Sequence, residues 1–202
     1  MSAAKVMSRF NVFFIIGKPG SGKGTQCLNL LKDFHPSFQH LSAGELLRQA
    51  KDKGGEEGTL IANYMKEGKI VPVEITIGLL KKAMNEELDK ADNSERYFLI
   101  DGFPRNMDNV NGWNNVVGQD GVRRVIYFTV SDQVAIDRCL GREGGRLDDN
   151  LDSLKKRLRG FENETQIVID QYDSLEMISR VNGEKSQDEV YQEFKSVIQQ
   201  FK

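Results

Sequence analysis

The 202 residues suffice for one α/β domain with insertions, and 39% hydrophobic against 29% charged residues fit a folded enzyme and exclude extended disorder. A net charge of −2 supplies no general field for nucleic acid or membrane, so an anionic ligand has to be met by local basic clusters. No stretch approaches the roughly 20 apolar residues that cross a bilayer. The residues before the first strand are too few for a signal h-region, and the expected location is the cytoplasm, extending to the nucleus.

The first strand is the apolar run 12–16. It leads into Gly17-Lys18-Pro19-Gly20-Ser21-Gly22-Lys23-Gly24-Thr25, and helix formers follow over 26–34. Strand, glycine-rich loop, lysine and helix in that order are the context of a phosphate cradle. Glycines let backbone N–H groups converge on one point, the helix adds its positive end, and Lys23 adds a full charge. Gly24 stands where a Ser or Thr ordinarily ligates Mg²⁺, with Thr25 one place later. A metal here is therefore expected to be held mainly through water and phosphates. Lys18 adds a further positive charge beside the phosphates.

A short strand at 39–41 precedes Ser42 and Glu45, which read as a capping box opening a helix over 43–51. A second helix over 57–66 ends at Gly68. These form a helical insertion over 42–72. A long helix follows over 74–91, with Ile75, Leu79, Leu80, Met84 and Leu88 on one face. The strand 97–100 ends in Asp101, which reads as a Mg²⁺ or water ligand at the carboxyl edge of the sheet or as a turn cap. Gly102-Phe103-Pro104-Arg105 then presents Arg105 at the same edge.

Further strands are expected over 122–130 and 178–181. The polar connection 141–150 reads as a solvent loop or as a lid over phosphates. A helix runs from 150 to about 171 and carries Arg157, which reads as an i,i+4 ion-pair residue or a phosphate ligand. Ser186 with Glu189 is a second capping box, opening a helix whose stripe of Val190, Phe194, Val197, Ile198 and Phe201 reads as core. Alternating strands and helices predict a five-stranded parallel sheet flanked by helices.

Arg48, Arg105, Arg138, Arg142, Arg146 and Arg157 fall at expected site edges. Phosphoryl transfer needs anions held in line and their charge neutralised, and guanidinium forks do this bidentately. His35 and His40 show no triad or zinc spacing, and His40 reads as structural. Cys27 and Cys139 are far apart, on predicted helices, and read as reduced thiols. No guanine-binding or protein-kinase catalytic stretch is present.

The loop at 17–25, Leu41-Ser42-Ala43-Gly44-Glu45-Leu46-Leu47-Arg48, Gly68-Lys69-Ile70-Val71-Pro72, Asp101-Gly102-Phe103-Pro104-Arg105 and Gly145-Arg146-Leu147-Asp148-Asp149-Asn150 together resemble the nucleoside monophosphate kinases, from about residue 11 to the C-terminus. Asn109, within Arg105-Asn106-Met107-Asp108-Asn109, resembles the pyrimidine-accepting branch, where adenine-accepting members carry Gln. Asn109 can serve uracil or cytosine by rotating its amide.

The resemblance implies a P-loop NTPase-type fold with a core at 1–41, 73–140 and 151–202, an acceptor-binding insertion at 42–72 and a lid at 141–150. It implies reversible transfer from ATP, with Mg²⁺, to UMP or CMP and also dCMP, by a monomer that binds neither nucleic acid nor membrane. It places Gly20, Ser21, Gly22, Lys23, Gly24 and Thr25 on the ATP phosphates, with Arg138, Arg142 and Lys185 also on ATP. Ala43, Gly44, Arg48, Lys69, Ile70, Val71, Gly102, Phe103, Arg105, Asn106, Asn109, Arg146 and Arg157 fall to the acceptor. Lys23, Arg105, Arg142, Arg146 and Arg157 act on the transferring group, and Asp101 on the metal. AMP as acceptor is the alternative, and a nucleotide-binding regulator without catalysis is a more distant one.

Overall fold

The computed structural model describes residues 10–90, 95–119, 121–142 and 149–202. Strand β1 (Asn11–Gly17) forms the centre of a five-stranded parallel sheet with β2 (Phe38–Ser42), β3 (Tyr97–Asp101), β4 (Val122–Thr129) and β5 (Ile178–Asn182), in the order β2-β3-β1-β4-β5. Every β1 residue from Val12 to Ile15 has no exposed surface, as expected of a strand covered on both faces. Val12, Phe14 and Ile16 pack toward Phe103, Trp113 and Tyr172. Phe13 and Ile15 pack toward Cys27, Leu30, Phe194 and Ile198 on the opposite face.

The covering helices are α1 (Lys23–Phe34), α4 (Val73–Asp89), α5 (Met107–Val116), α6 (Asp132–Leu140), α7 (Leu151–Gly160), α8 (Gln166–Ser174) and α9 (Gln187–Phe201). Between β2 and α4 stand α2 (Ala43–Asp52) and α3 (Gly55–Glu67), which enclose a small separate apolar cluster of Leu47, Ala50, Ile61 and Val71. Gly68 ends α3 with φ +71°, the left-handed conformation that favours glycine at this place. Among the described residues no helix is long and apolar enough to cross a membrane.

Three sequence expectations are corrected. The helix expected over 150–171 is broken by one π-helical turn, Phe161–Thr165, between α7 and α8. The capping box at Ser42 is only half made. Ser42 Oγ accepts from the Glu45 N–H at 3.3 Å, but the Glu45 carboxylate accepts from Arg48 instead, at 3.1 Å from Nε and 2.9 Å from Nη2. An exposed carboxylate gains more from a fixed guanidinium than from one more N–H. Lys18 does not join the cradle. Its ammonium is 2.5 Å from Asp132 Oδ1 at the start of α6, and that ion pair neutralises it. The box at Ser186 is complete, with Glu189 N–H donating to Ser186 Oγ and Ser186 N–H to Glu189 Oε2. The C-terminal stripe is core, with Val190, Phe194 and Ile198 buried. Cys27 and Cys139 are buried free thiols.

β1 pairs with β3 on one side and β4 on the other, so the order of connection reverses beside β1. Parallel sheets open a crevice at such a reversal, outside the carboxyl ends of the strands.

Candidate active site

A cleft of about 1030 Å³ lies in that crevice. Gly20, Ser21, Gly22, Lys23, Gly24 and Thr25 form its floor. Gly20 has φ +78°, and a Cβ there would run into the backbone of Ala135 in α6. The loop's path therefore depends on glycine at this point. Gly22 (φ +89°) turns the chain into α1, whose first N–H groups are left facing the cleft.

Lys23 folds back over its own loop. Its ammonium donates to the carbonyls of Gly17 at 2.8 Å and Lys18 at 2.9 Å and to Ser21 Oγ at 3.1 Å. Burial depresses its pKa to about 8; Asp101 pulls it upward, while the charges of Arg105 and Arg157 push it further down. A buried cation crowded by other cations is a group in need of an anion.

Asp101 closes β3, paired in register with Ile15 of β1 and Ser42 of β2. Burial alone would raise its carboxyl. His40, then Lys23 and Arg105, outweigh that and hold it below the usual carboxylate range. His40 Nε2 lies 3.5 Å from Asp101 Oδ2, so His40 supports Asp101 rather than acting alone. Among the described residues no group of three or more His, Cys, Asp or Glu side chains could hold a metal. A single ionised carboxylate beside a phosphate loop fits Mg²⁺ carried by phosphates and water, since that ion dehydrates reluctantly.

Arg48 on α2 and Arg105 after β3 converge over Gly44. A Cβ built on Gly44 would lie 3.5 Å from Arg48 Nη1 and 3.8 Å from Arg105 Nη2. The two forks thus meet without an intervening side chain. Glu45 holds Arg48, and Arg105 donates its Nε–H to the Gly102 carbonyl at 2.8 Å. The Arg105 N–H donates to Asn109 Oδ1 at 3.0 Å.

Asn109 is 1% exposed and borders a small adjoining cavity with Ala43, Val71, Phe103 and Thr76. Because a backbone N–H already engages its oxygen, its amide has a fixed sense, with the NH₂ end left for a ligand. The rotation expected from sequence is therefore blocked by the fold. Gly102, Ile70 and Arg105 border both the cleft and this cavity.

On the opposite side, Arg138, Arg142, Arg157 and Lys185 line the cleft. Arg138 Nη1 donates to the Gly183 carbonyl at 2.7 Å, tying α6 to the loop after β5. Asp149, with a side chain 3% exposed, takes Arg142 Nη1 at 2.7 Å and stands 3.7 Å from Arg157 Nη1. Lys185 extends outward to Glu193 at 2.8 Å.

Not every candidate meets the cleft. Asn106 borders neither cavity; its Oδ1 caps α5 by accepting the Asn109 N–H at 2.9 Å. The Lys69 side chain pairs with Glu67 at 2.6 Å, while its neighbours Gly68 and Ile70 line the cleft. Arg146, with most of the expected lid, lies outside the described residues.

Sequence reasoning missed Glu164 and Thr165 of the π turn, both of which line the cleft. Their stretch reads as plain amphipathic helix, and no signal marks it. It also missed Gly183, where a Cβ would be 2.9 Å from the Ser21 carbonyl. A glycine directly after a strand at the carboxyl edge could have flagged that close approach.

The chain matches the family model described as adenylate kinase over residues 15–177. Among similar proteins, the UMP-CMP kinase of Danio rerio is 46% identical over 93% of this chain and 96% of its own length. That of Gallus gallus is 46% identical over 94% and 96%, and that of Homo sapiens 45% over 90% and 93%.

Proposed function

The chain belongs to the adenylate kinase family, and we propose that it moves the terminal phosphoryl group of ATP reversibly onto UMP or CMP, giving ADP and UDP or CDP. The observation that carries this reading is the pairing, in one cleft, of a glycine-lysine phosphate loop with two arginines that converge over Gly44. A single nucleotide site would need only the first. Both pyrimidines offer an acceptor atom to the Asn109 NH₂ (O4 or O2 of uracil, N3 or O2 of cytosine), and the names of the similar proteins agree with that.

The loop amides and Lys23 hold the donor β- and γ-phosphates. Arg48 and Arg105 grip the acceptor phosphate and align one of its oxygens with the γ-phosphorus. The new P–O bond forms as the bond to the bridging oxygen of ADP breaks, and Arg142, Arg146 and Arg157 neutralise the charge on the transferring group. The acceptor phosphate is already anionic, so no general base is required. Asp101 would hold Mg²⁺ through water, and the ion would supply charge neutralisation across the donor phosphates. Residues 42–72 close over the acceptor and 141–150 over the donor, excluding water so that hydrolysis does not compete.

A coupled assay with ATP, Mg²⁺ and either UMP, CMP or AMP tests this. Diphosphates form fastest from the pyrimidine monophosphates; AMP turned over fastest, or no transfer to any acceptor, overturns it.

A further inference from the structure

The π turn Phe161–Thr165 interrupts the helical backbone beside the cleft, and turns of this kind recur at functional sites. Beyond it α8 packs Val168, Ile169 and Tyr172 into the main core, while α7, upstream, presents Arg157 to the cleft.

The turn also reaches sideways. A helical threonine hydroxyl commonly bonds a carbonyl of its own preceding turn. The Thr165 hydroxyl, on a residue 4% exposed, instead donates to the Arg105 carbonyl at 2.8 Å, 60 residues away in sequence. Its neighbour Glu164 accepts from Asn106 Nδ2 at 3.3 Å. The segment after β3 is thus tied to the turn at two successive residues, Arg105 and Asn106. Within its own segment it is held by Asn109 and by the Gly102 carbonyl.

We propose that Thr165 is a positioning residue for Arg105, and that the π turn sets this acceptor-gripping arginine in register with Arg157 across the cleft. The proposal rests on the reading of Arg105 as an acceptor ligand. It adds that the arginine's backbone is fixed from the helix bearing its counterpart rather than by its own loop alone. Without the hydroxyl the Arg105 carbonyl loses this bond in a part-buried setting, which costs enough to change affinity about tenfold.

The test compares Thr165→Val and Thr165→Ser with the unaltered protein by calorimetric titration of UMP and, separately, of ATP, with thermal melts to establish folding. Thr165→Val weakens UMP about tenfold and leaves ATP within twofold; Thr165→Ser restores UMP affinity. UMP affinity within twofold of the unaltered protein in the valine variant overturns the proposal. So does an equal loss for both nucleotides, which marks a general structural role. Should the valine variant not fold, Glu164→Ala at the exposed tie is the second variant. It weakens UMP about threefold with ATP unchanged, and no change in UMP overturns the proposal. Absence of UMP binding to the unaltered protein defeats the functional reading itself and is a separate result.

Discussion

The two halves of the cleft are built differently. The half we propose for the donor is centred on main chain: glycines at 20 and 22 in left-handed conformations, the amides at the start of α1, and a lysine braced on the carbonyls of its own loop. The half we propose for the acceptor is largely side chain: Arg48 held by Glu45, Arg105 held by Gly102, Asn109 and Thr165. The phosphate loop is shaped mainly by the local geometry of nine consecutive residues. The paired arginines are placed by contacts between elements far apart in sequence. Substitutions should therefore act locally and severely in the first, and through partners, by graded steps, in the second.

The sharpest contrast comes from Lys23→Ala. Removing one electrostatic donor from a transition state costs about 3–4 kcal/mol, so kcat falls roughly 10²–10³-fold with the fold intact by thermal melt. Near-normal turnover would remove the loop from the chemistry.

A smaller effect is expected on the acceptor side from Asn109→Asp. One carboxylate oxygen still accepts from the Arg105 N–H, but the group facing the base changes from donor to acceptor. The ratio of kcat/KM for CMP to that for UMP rises about tenfold, because the 4-amino group of cytosine gains a partner and O4 of uracil meets a lone pair. A ratio unchanged from the unaltered protein would detach Asn109 from the base.

The pH dependence separates the halves again. The Lys23 pKa lies at about 8 in the free protein, depressed from its ordinary value by burial. The ammonium is charged below that pH and neutral above it. Thus kcat/KM for ATP declines as pH rises through about 8, approaching tenfold per unit beyond it, where an ordinary lysine would titrate near 10.4. Bound phosphates favour the charged form, so kcat at saturating ATP declines only at higher pH. The affinity for CMP alone, which the proposed reading assigns to arginines that stay charged, stays level across the same range. A flat kcat/KM profile for ATP from pH 7 to 9.5 would contradict the depressed lysine.

The mildest prediction is Glu45→Gln. Glu45 is an exposed partner of Arg48, its side chain 53% accessible, and exposed pairs contribute about 0–1 kcal/mol. KM for UMP rises about twofold and kcat is unchanged. A tenfold rise would show that Arg48 depends on its carboxylate as strictly as Arg105 depends on its backbone ties.

Much of this was legible in the chain. The loop at 17–25 identified itself because its conformation is dictated by glycines and its direction by the flanking strand and helix. The strands were placed within a residue or two because β1 and β3 are apolar runs and the others are short stretches between helical segments and turns. The π turn was not legible, since Leu154, Leu158, Phe161, Thr165 and Val168 keep the spacing of an ordinary buried helix stripe. Nor was the neutralisation of Lys18, whose partner Asp132 lies 114 residues away.

By itself the sequence determined a parallel sheet, a phosphate loop at its carboxyl edge and a supply of arginines near it. It did so because backbone conformation and hydrophobic period are local properties of the chain. Tertiary structure alone decided which arginines meet, that Asn109 presents its NH₂ and not its oxygen, and that Thr165 reaches Arg105. Those depend on the relative placement of β3, α2, α5 and the turn between α7 and α8, which is set by packing across the whole core and leaves no trace in any short stretch of sequence.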